Sequence, residues 1–174
     1  IPILKRNSQS IINTAFNGLV SNETNKPDDA PMFWDLREKS LEKQSLEPIK
    51  AFEEMRGHSF TEEKVLESII ARLRANSIYS KLFQVAFPES QNIDSMNLSK
   101  AIATYELTLI ANNSRFDQYM RGDKSALSTN ELLGLNAFLK SGCSKCHNGP
   151  MLSDFKVHTL GVIDNEKLGY SDTG

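Results

Sequence analysis

The sequence predicts a mainly α-helical chain, and three observations carry that expectation. Apolar residues recur at helical spacing in Val65, Ile69 and Leu73, with Leu66 and Ile70 beside them. Ser128-Thr-Asn-Glu131 opens a further run of this kind, which stops at Gly142, a residue suited to the left-handed conformation that follows a helix. No alternation of apolar and polar residues is long enough to propose a sheet, and no internal repeat or low-complexity tract interrupts the chain.

Residues 1–33 contain Asn-Glu-Thr-Asn-Lys-Pro-Asp-Asp-Ala-Pro, where Pro27 and Pro31 disfavour helix before them. Phe16, Leu19, Met32, Phe33 and Trp34 bracket this stretch, so it reads as ordered loop rather than linker. From Ser59 the pattern turns helical, with Ser59 and Glu62 as an expected capping box. Ile78, Leu82, Val85 and Ala86 mark a second helix that runs to Pro88. Leu98, Ile102, Tyr105 and Leu109 mark a third, expected to end near Asn112 and Asn113. The last helix turns Leu132, Leu135, Phe138 and Leu139 inward and delivers the chain to Cys143.

With 174 residues the chain is long enough to bury one sizeable core. Its 39% hydrophobic and 24% charged residues and formal charge of −2 are those of an ordinary globular protein, with no basic excess to serve nucleic acid. No apolar run approaches the roughly 20 residues needed to cross a bilayer. The start Ile-Pro-Ile-Leu-Lys-Arg has neither an initiator methionine nor a signal-peptide pattern, and reads as a mature or excised segment, which leaves room for an export signal upstream. Both cysteines fall within a single motif, which leaves none for a structural disulfide.

That motif, Cys143-Ser-Lys-Cys146-His147, has the spacing of c-type haem attachment. Each thiol adds to a haem vinyl group, and the adjacent histidine supplies the proximal nitrogen to iron. A zinc site needs about four ligands, and His58 and His158 are the other histidines, with no further cysteine. A thioredoxin-like dithiol belongs at a helix start after a strand, whereas Cys143 follows a helix end. Met151 and His158 are the candidates for a sixth iron ligand, and packing around the haem edge is the favoured reading for both.

Around this motif, Gly-Leu-Asn-Ala-Phe-Leu-Lys-Ser-Gly-Cys-Ser-Lys-Cys-His-Asn-Gly-Pro-Met resembles the second haem segment of bacterial di-haem cytochrome c peroxidases, including the methylamine-utilisation relatives. The resemblance extends back through residues 101–131, 32–55 and 6–17, and so covers nearly the whole chain. It implies a cytochrome c-like fold and a partner haem whose attachment motif would precede residue 1. By resemblance Cys143, Cys146 and His147 hold the electron-receiving haem, and Trp34 is the relay between the haems. Glu54 matches the acid/base glutamate of the peroxide pocket, Gln44 and Pro48 match at the same distances from the tryptophan, and Asn7 matches a calcium-ligating asparagine. On composition alone Glu53 and Glu54 are a solvated pair, Trp34 a core residue and Asn7 a turn residue. Leu36 stands where the family's usual glycine follows the Trp-Asp pair, and Tyr105-Glu-Leu-Thr-Leu109 departs from the family's Phe-Glu-Arg-Thr-Leu.

The expectation is then a periplasmic enzyme segment, with residues 1–125 forming the inter-haem and peroxide-pocket part and residues 126–174 a partial cytochrome c domain. Its expected partners are a small electron donor of cytochrome c or cupredoxin type, hydrogen peroxide, and either a second copy or a complementary chain. The rival readings are a mono-haem electron carrier without peroxidase activity and a di-haem oxidase that modifies protein side chains.

Overall fold

The computed structural model describes residues 6–20, 26–90 and 92–163. The expectations for the first five residues and for residues 21–25 of the proline-containing stretch lie outside the described residues, as does the chain after residue 163.

The fold is mainly helical. Short 3-10 turns at Thr14–Phe16 and Pro27–Asp29 lead into a minimal antiparallel ladder, β1 (Pro31–Met32) against β2 (Glu38–Lys39). The connecting turn holds Phe33 and Leu36 at positive φ, 66° and 57°. Leu36 thus occupies a conformation that a glycine adopts without steric penalty. Four-residue helices α1 (Leu41–Gln44) and α2 (Glu47–Lys50) follow, then a π-helical turn at Phe52–Arg56 closed by Gly57 at φ 56°.

The longer helices are α3 (Glu62–Ala75), α4 (Ser77–Ala86) and α5 (Ser95–Leu107). The expected box at Ser59 does not form: α3 starts at Glu62, and Thr61, the residue before it, makes no side-chain cap to the helix. Asn76 separates α3 from α4, and its side chain accepts from the Ile78 N–H at 2.9 Å. α5 ends at Leu107, short of the expected Asn112. The cause is Asn13, whose side chain accepts from the Ala111 N–H at 2.7 Å and donates to the Ala111 carbonyl at 2.9 Å. Its own N–H donates to the Leu109 carbonyl at 2.8 Å, and residues 109–111 lie outside the helix.

α5 is the spine of the core. Ala103 packs with Ala30, Met32 and Leu41, while Leu98 packs with Ile49 and Val65, the latter only 2% exposed. Leu66, Ile69, Ile70 and Leu73 join the second cluster as the sequence predicts. On α4, Phe83 does so, whereas Ile78, Leu82 and Val85 point outward.

α6 (Arg115–Met120) and α7 (Thr129–Lys140) complete the helices. Both begin with a full capping box, Ser114 with Asp117 and Ser128 with Glu131. Leu132, Leu135 and Phe138 are half-buried, but Leu139 is exposed, contrary to the expected inward face.

Candidate functional site

The haem-type motif is presented on one tight turn. α7 ends at Lys140, Gly142 takes φ 87° as expected, and Cys143–Lys145 forms a 3-10 turn. The Cys143 carbonyl accepts from the N–H groups of Cys146 at 3.3 Å and His147 at 2.9 Å. Both thiols are free and exposed on the same turn.

His147 is oriented by a backbone group. Its Nδ1 lies 3.1 Å from the Leu152 carbonyl, which can only accept. Nδ1 therefore carries the hydrogen, and in the neutral ring Nε2 keeps a lone pair for a metal. The Phe138 ring lies 6.3 Å away, tilted by 46°. Two vicinal thiols and an imidazole with a free Nε2 match the donor set that haem c requires.

Leu152 can reach His147 because the intervening loop is docked. Gly149, at φ 70°, approaches residues 19 and 20 so closely that an added Cβ would stand 2.6 Å from the Val20 carbonyl oxygen. Gly18 in turn abuts Pro31 of β1, with a hypothetical Cβ 3.0 Å from its ring. The loop after the motif thus rests on the segment that supports the Trp34 turn.

His158 lies beside the motif, close to Cys146. Its Nε2 pairs with Asp154 Oδ2 at 2.9 Å, and both groups lie within 4.8 Å of Cys146 Sγ and of one another. These three could hold a metal only with Cys146 as an unmodified thiolate, the atom that a haem attached at this motif would take. Asp154 sits below the usual carboxylate range: partial burial would raise it, but the Lys156 N–H and His158 outweigh that effect. Met151 is half-buried in the same loop.

Trp34 is not a core residue. It is 59% exposed, and its indole N–H donates to the Asn7 carbonyl at 2.8 Å. Asn7 and Trp34, 27 positions apart, are therefore adjacent. Next to them Asp35 accepts from Arg6 at 2.7 Å and from Arg37 at 2.9 Å. Partial burial would raise the Asp35 carboxyl, but the two guanidinium groups hold it below its usual range. Arg37 also lies over the Phe33 ring, 3.6 Å from its centroid.

Glu54 and Pro48 line one cleft of about 350 Å³, together with Phe33, Arg37, Lys50 and Arg56. The π-helical turn presents Glu54 at the surface, beside an equally exposed Glu53. Arg56 braces that turn, its Nε–H donating to the Lys50 carbonyl at 2.7 Å. Gln44 is half-buried at the end of α1, and neither it nor Trp34 is among the residues lining this cleft. The sequence reading missed Arg37, Arg56 and Leu152; a guanidinium close to an aromatic in sequence hints at the first two, but nothing marks a carbonyl.

No helix among the described residues is long and apolar enough to cross a membrane. A family model described as di-haem cytochrome c peroxidase matches residues 2–125. The cytochrome c551 peroxidase of Pseudomonas aeruginosa is 35% identical over 91% of this chain and 40% of its own length. That of Nitrosomonas europaea is 37% identical over 75% of this chain and 37% of its own length. The methylamine utilization protein MauG of Methylorubrum extorquens is 32% identical over 78% of this chain, and again the chain spans only 37% of the relative. Among solved structures, a MauG-like protein associated with microbial copper homeostasis aligns with a TM-score of 0.58 at 24% identity, covering 80% of this chain and 44% of that one. The shared fold is mainly α and cytochrome c-like. On the strength of the matched segment and of these relatives, the chain belongs to the di-haem cytochrome c peroxidase family.

Proposed function

We propose that this chain is the portion of a periplasmic di-haem peroxidase that receives electrons and shapes the peroxide pocket. The observation that carries the proposal is the turn from Gly142 to Leu152, where two free thiols accompany an imidazole with Nδ1 occupied and Nε2 available. Cys143 and Cys146 would hold haem c through their sulfurs and His147 through Nε2; when bound, the group supplies a one-electron store.

The remaining roles fall to the chain's own residues. Trp34 is exposed beside Asn7, where its ring offers a route for an electron travelling toward the second haem. Glu54, at the mouth of the cleft, acts as general base and then general acid: it takes a proton from one peroxide oxygen and returns it to the other as the O–O bond breaks. Peroxide then takes up electrons and protons from outside and leaves as water. The donor is a small cytochrome c or cupredoxin. The second haem comes from further sequence, a second copy or a complementary chain. Gln44 supports the pocket from α1, and Asn7 offers one oxygen of the roughly six to eight that calcium takes.

The similarity to MauG keeps a second reading, a di-haem oxidase acting on protein side chains. The single attachment motif in the chain keeps a third, a mono-haem carrier. A pyridine haemochrome count per polypeptide, with peroxide turnover of the native assembly, separates them. A second haem with peroxide turnover supports the peroxidase; one haem without turnover defeats it in favour of the carrier.

A further inference from the structure

We propose that Arg115 is a positioning residue: its fork on Glu131 fixes the helix that carries Cys143, Cys146 and His147, and so sets the spacing between His147 and Trp34. This rests on the reading that haem c is held at this turn.

Arg115 is the first residue of α6. Its Nη1 donates to Glu131 Oε1 at 2.7 Å, its Nη2 to Oε2, and its Nε to the Ala126 carbonyl at 2.9 Å. Glu131 Oε2 also accepts from the Ser128 N–H and hydroxyl, each at 2.7 Å. One carboxylate therefore caps α7 and ties its first turn to α6. Among the described residues, Arg115 supplies the side-chain hydrogen bonds that reach the α7 helix from residues 6–125, through Glu131, together with one to the Ala126 carbonyl just before it.

Packing does little to fix α7, because neither α6 nor α7 buries a residue fully. With 12 residues α7 is about 18 Å long, and a small rotation at its start becomes a displacement at its end. The other mount is the contact of Gly149 with Val20 at the far end. An exposed ion pair contributes little to stability. A bidentate fork with a third bond from Nε does restrict direction, and lysine, a single ammonium on a flexible stem, cannot reproduce it.

Trp34 is the single tryptophan of the chain, so its fluorescence reports on this spacing. Energy transfer to a haem shortens the lifetime, steeply with distance. The experiment measures the Trp34 lifetime in the haem-loaded 174-residue chain, well below each variant's melting midpoint, with haem content set by pyridine haemochrome. Arg115→Lys and Arg115→Ala should lengthen and broaden the lifetime at wild-type haem content. Glu131→Gln, which keeps an acceptor for the α7 cap, should do the same. Arg121→Lys is the control, because Arg121 bonds only within its own segment, to the Asn112 carbonyl and the Asn113 side chain, and it should leave the lifetime unchanged. Wild-type lifetimes in the Arg115 variants, or an equal shift in Arg121→Lys, overturn the proposal while leaving the haem reading intact. A colourless wild-type chain overturns both.

Discussion

Replacing Gly149 by alanine tests whether the loop after the haem motif is docked as described. The new Cβ would stand 2.6 Å from the Val20 carbonyl oxygen, 3.1 Å from its carbon and 3.2 Å from the Leu19 oxygen. All three are backbone atoms, so no side chain can swing aside. Carbon meets a carbonyl oxygen comfortably at about 3.3 Å or more, so the loop must retreat by about 0.7 Å. Overpacking of this kind costs about 1–3 kcal/mol, and holding alanine at φ 70° adds about 1–2 kcal/mol. Loss of unfolded-chain freedom returns about 0.4–1 kcal/mol. The net loss is about 1–5 kcal/mol, which lowers the melting midpoint of a chain this size by about 2–20 °C. Circular dichroism of the haem-loaded chain measures it. Gly161→Ala is the matched control, with φ 67° and nothing within 4 Å of its added Cβ, so it carries only the backbone cost. Equal midpoints for the two variants would refute the docked loop.

Other outcomes follow from the same geometry. Glu54→Gln in the complete protein should slow peroxide reduction by about 10²–10⁴-fold, while the spectrum of the His147 haem is unchanged; stopped-flow mixing checks this, and normal turnover removes the acid/base role. Ser128→Ala removes the hydroxyl of the α7 cap and should cost about 0.5–2 kcal/mol in chemical denaturation, against no change if α7 is set by packing alone. Burial holds the half-buried Glu106 carboxyl above its usual range. At neutral pH folded and unfolded chains both carry that charge, so the folded chain bears the penalty in full, and the penalty fades as pH falls through the raised folded value. Glu106→Gln should therefore raise the melting midpoint at neutral pH and lose the gain below the ordinary glutamate value of about 4.3; an equal gain at both pH values would count against the assignment.

What was legible in the sequence is what local chemistry decides. The Ser128 box and Gly142 name the ends of α7 because a cap binds within one turn. Ser59 and Thr61 are both able caps in sequence, and α3 starts after Thr61 without a side-chain cap from either, so its start carries no local signature. The end of α5 is not legible because its terminator is Asn13, which lies 98 residues upstream of the Ala111 that it bonds. α1 and α2 are too short to show a period. In the site, the spacing of Cys143, Cys146 and His147 is dictated by covalent chemistry and could be read directly, whereas Leu152 contributes only a carbonyl, which every residue has. Glu54 stood out only by resemblance, since an exposed glutamate on a turn has no signature of its own.

On the proposed relay role of Trp34, the bond from its indole to Asn7 constrains how that ring would conduct. An amide oxygen is far too weak a base to accept the indole proton, so an electron withdrawn from Trp34 leaves a ring that keeps its hydrogen and its positive charge. Passage through this residue would then show no slowing in heavy water, and the transient would be the protonated cation rather than the neutral radical.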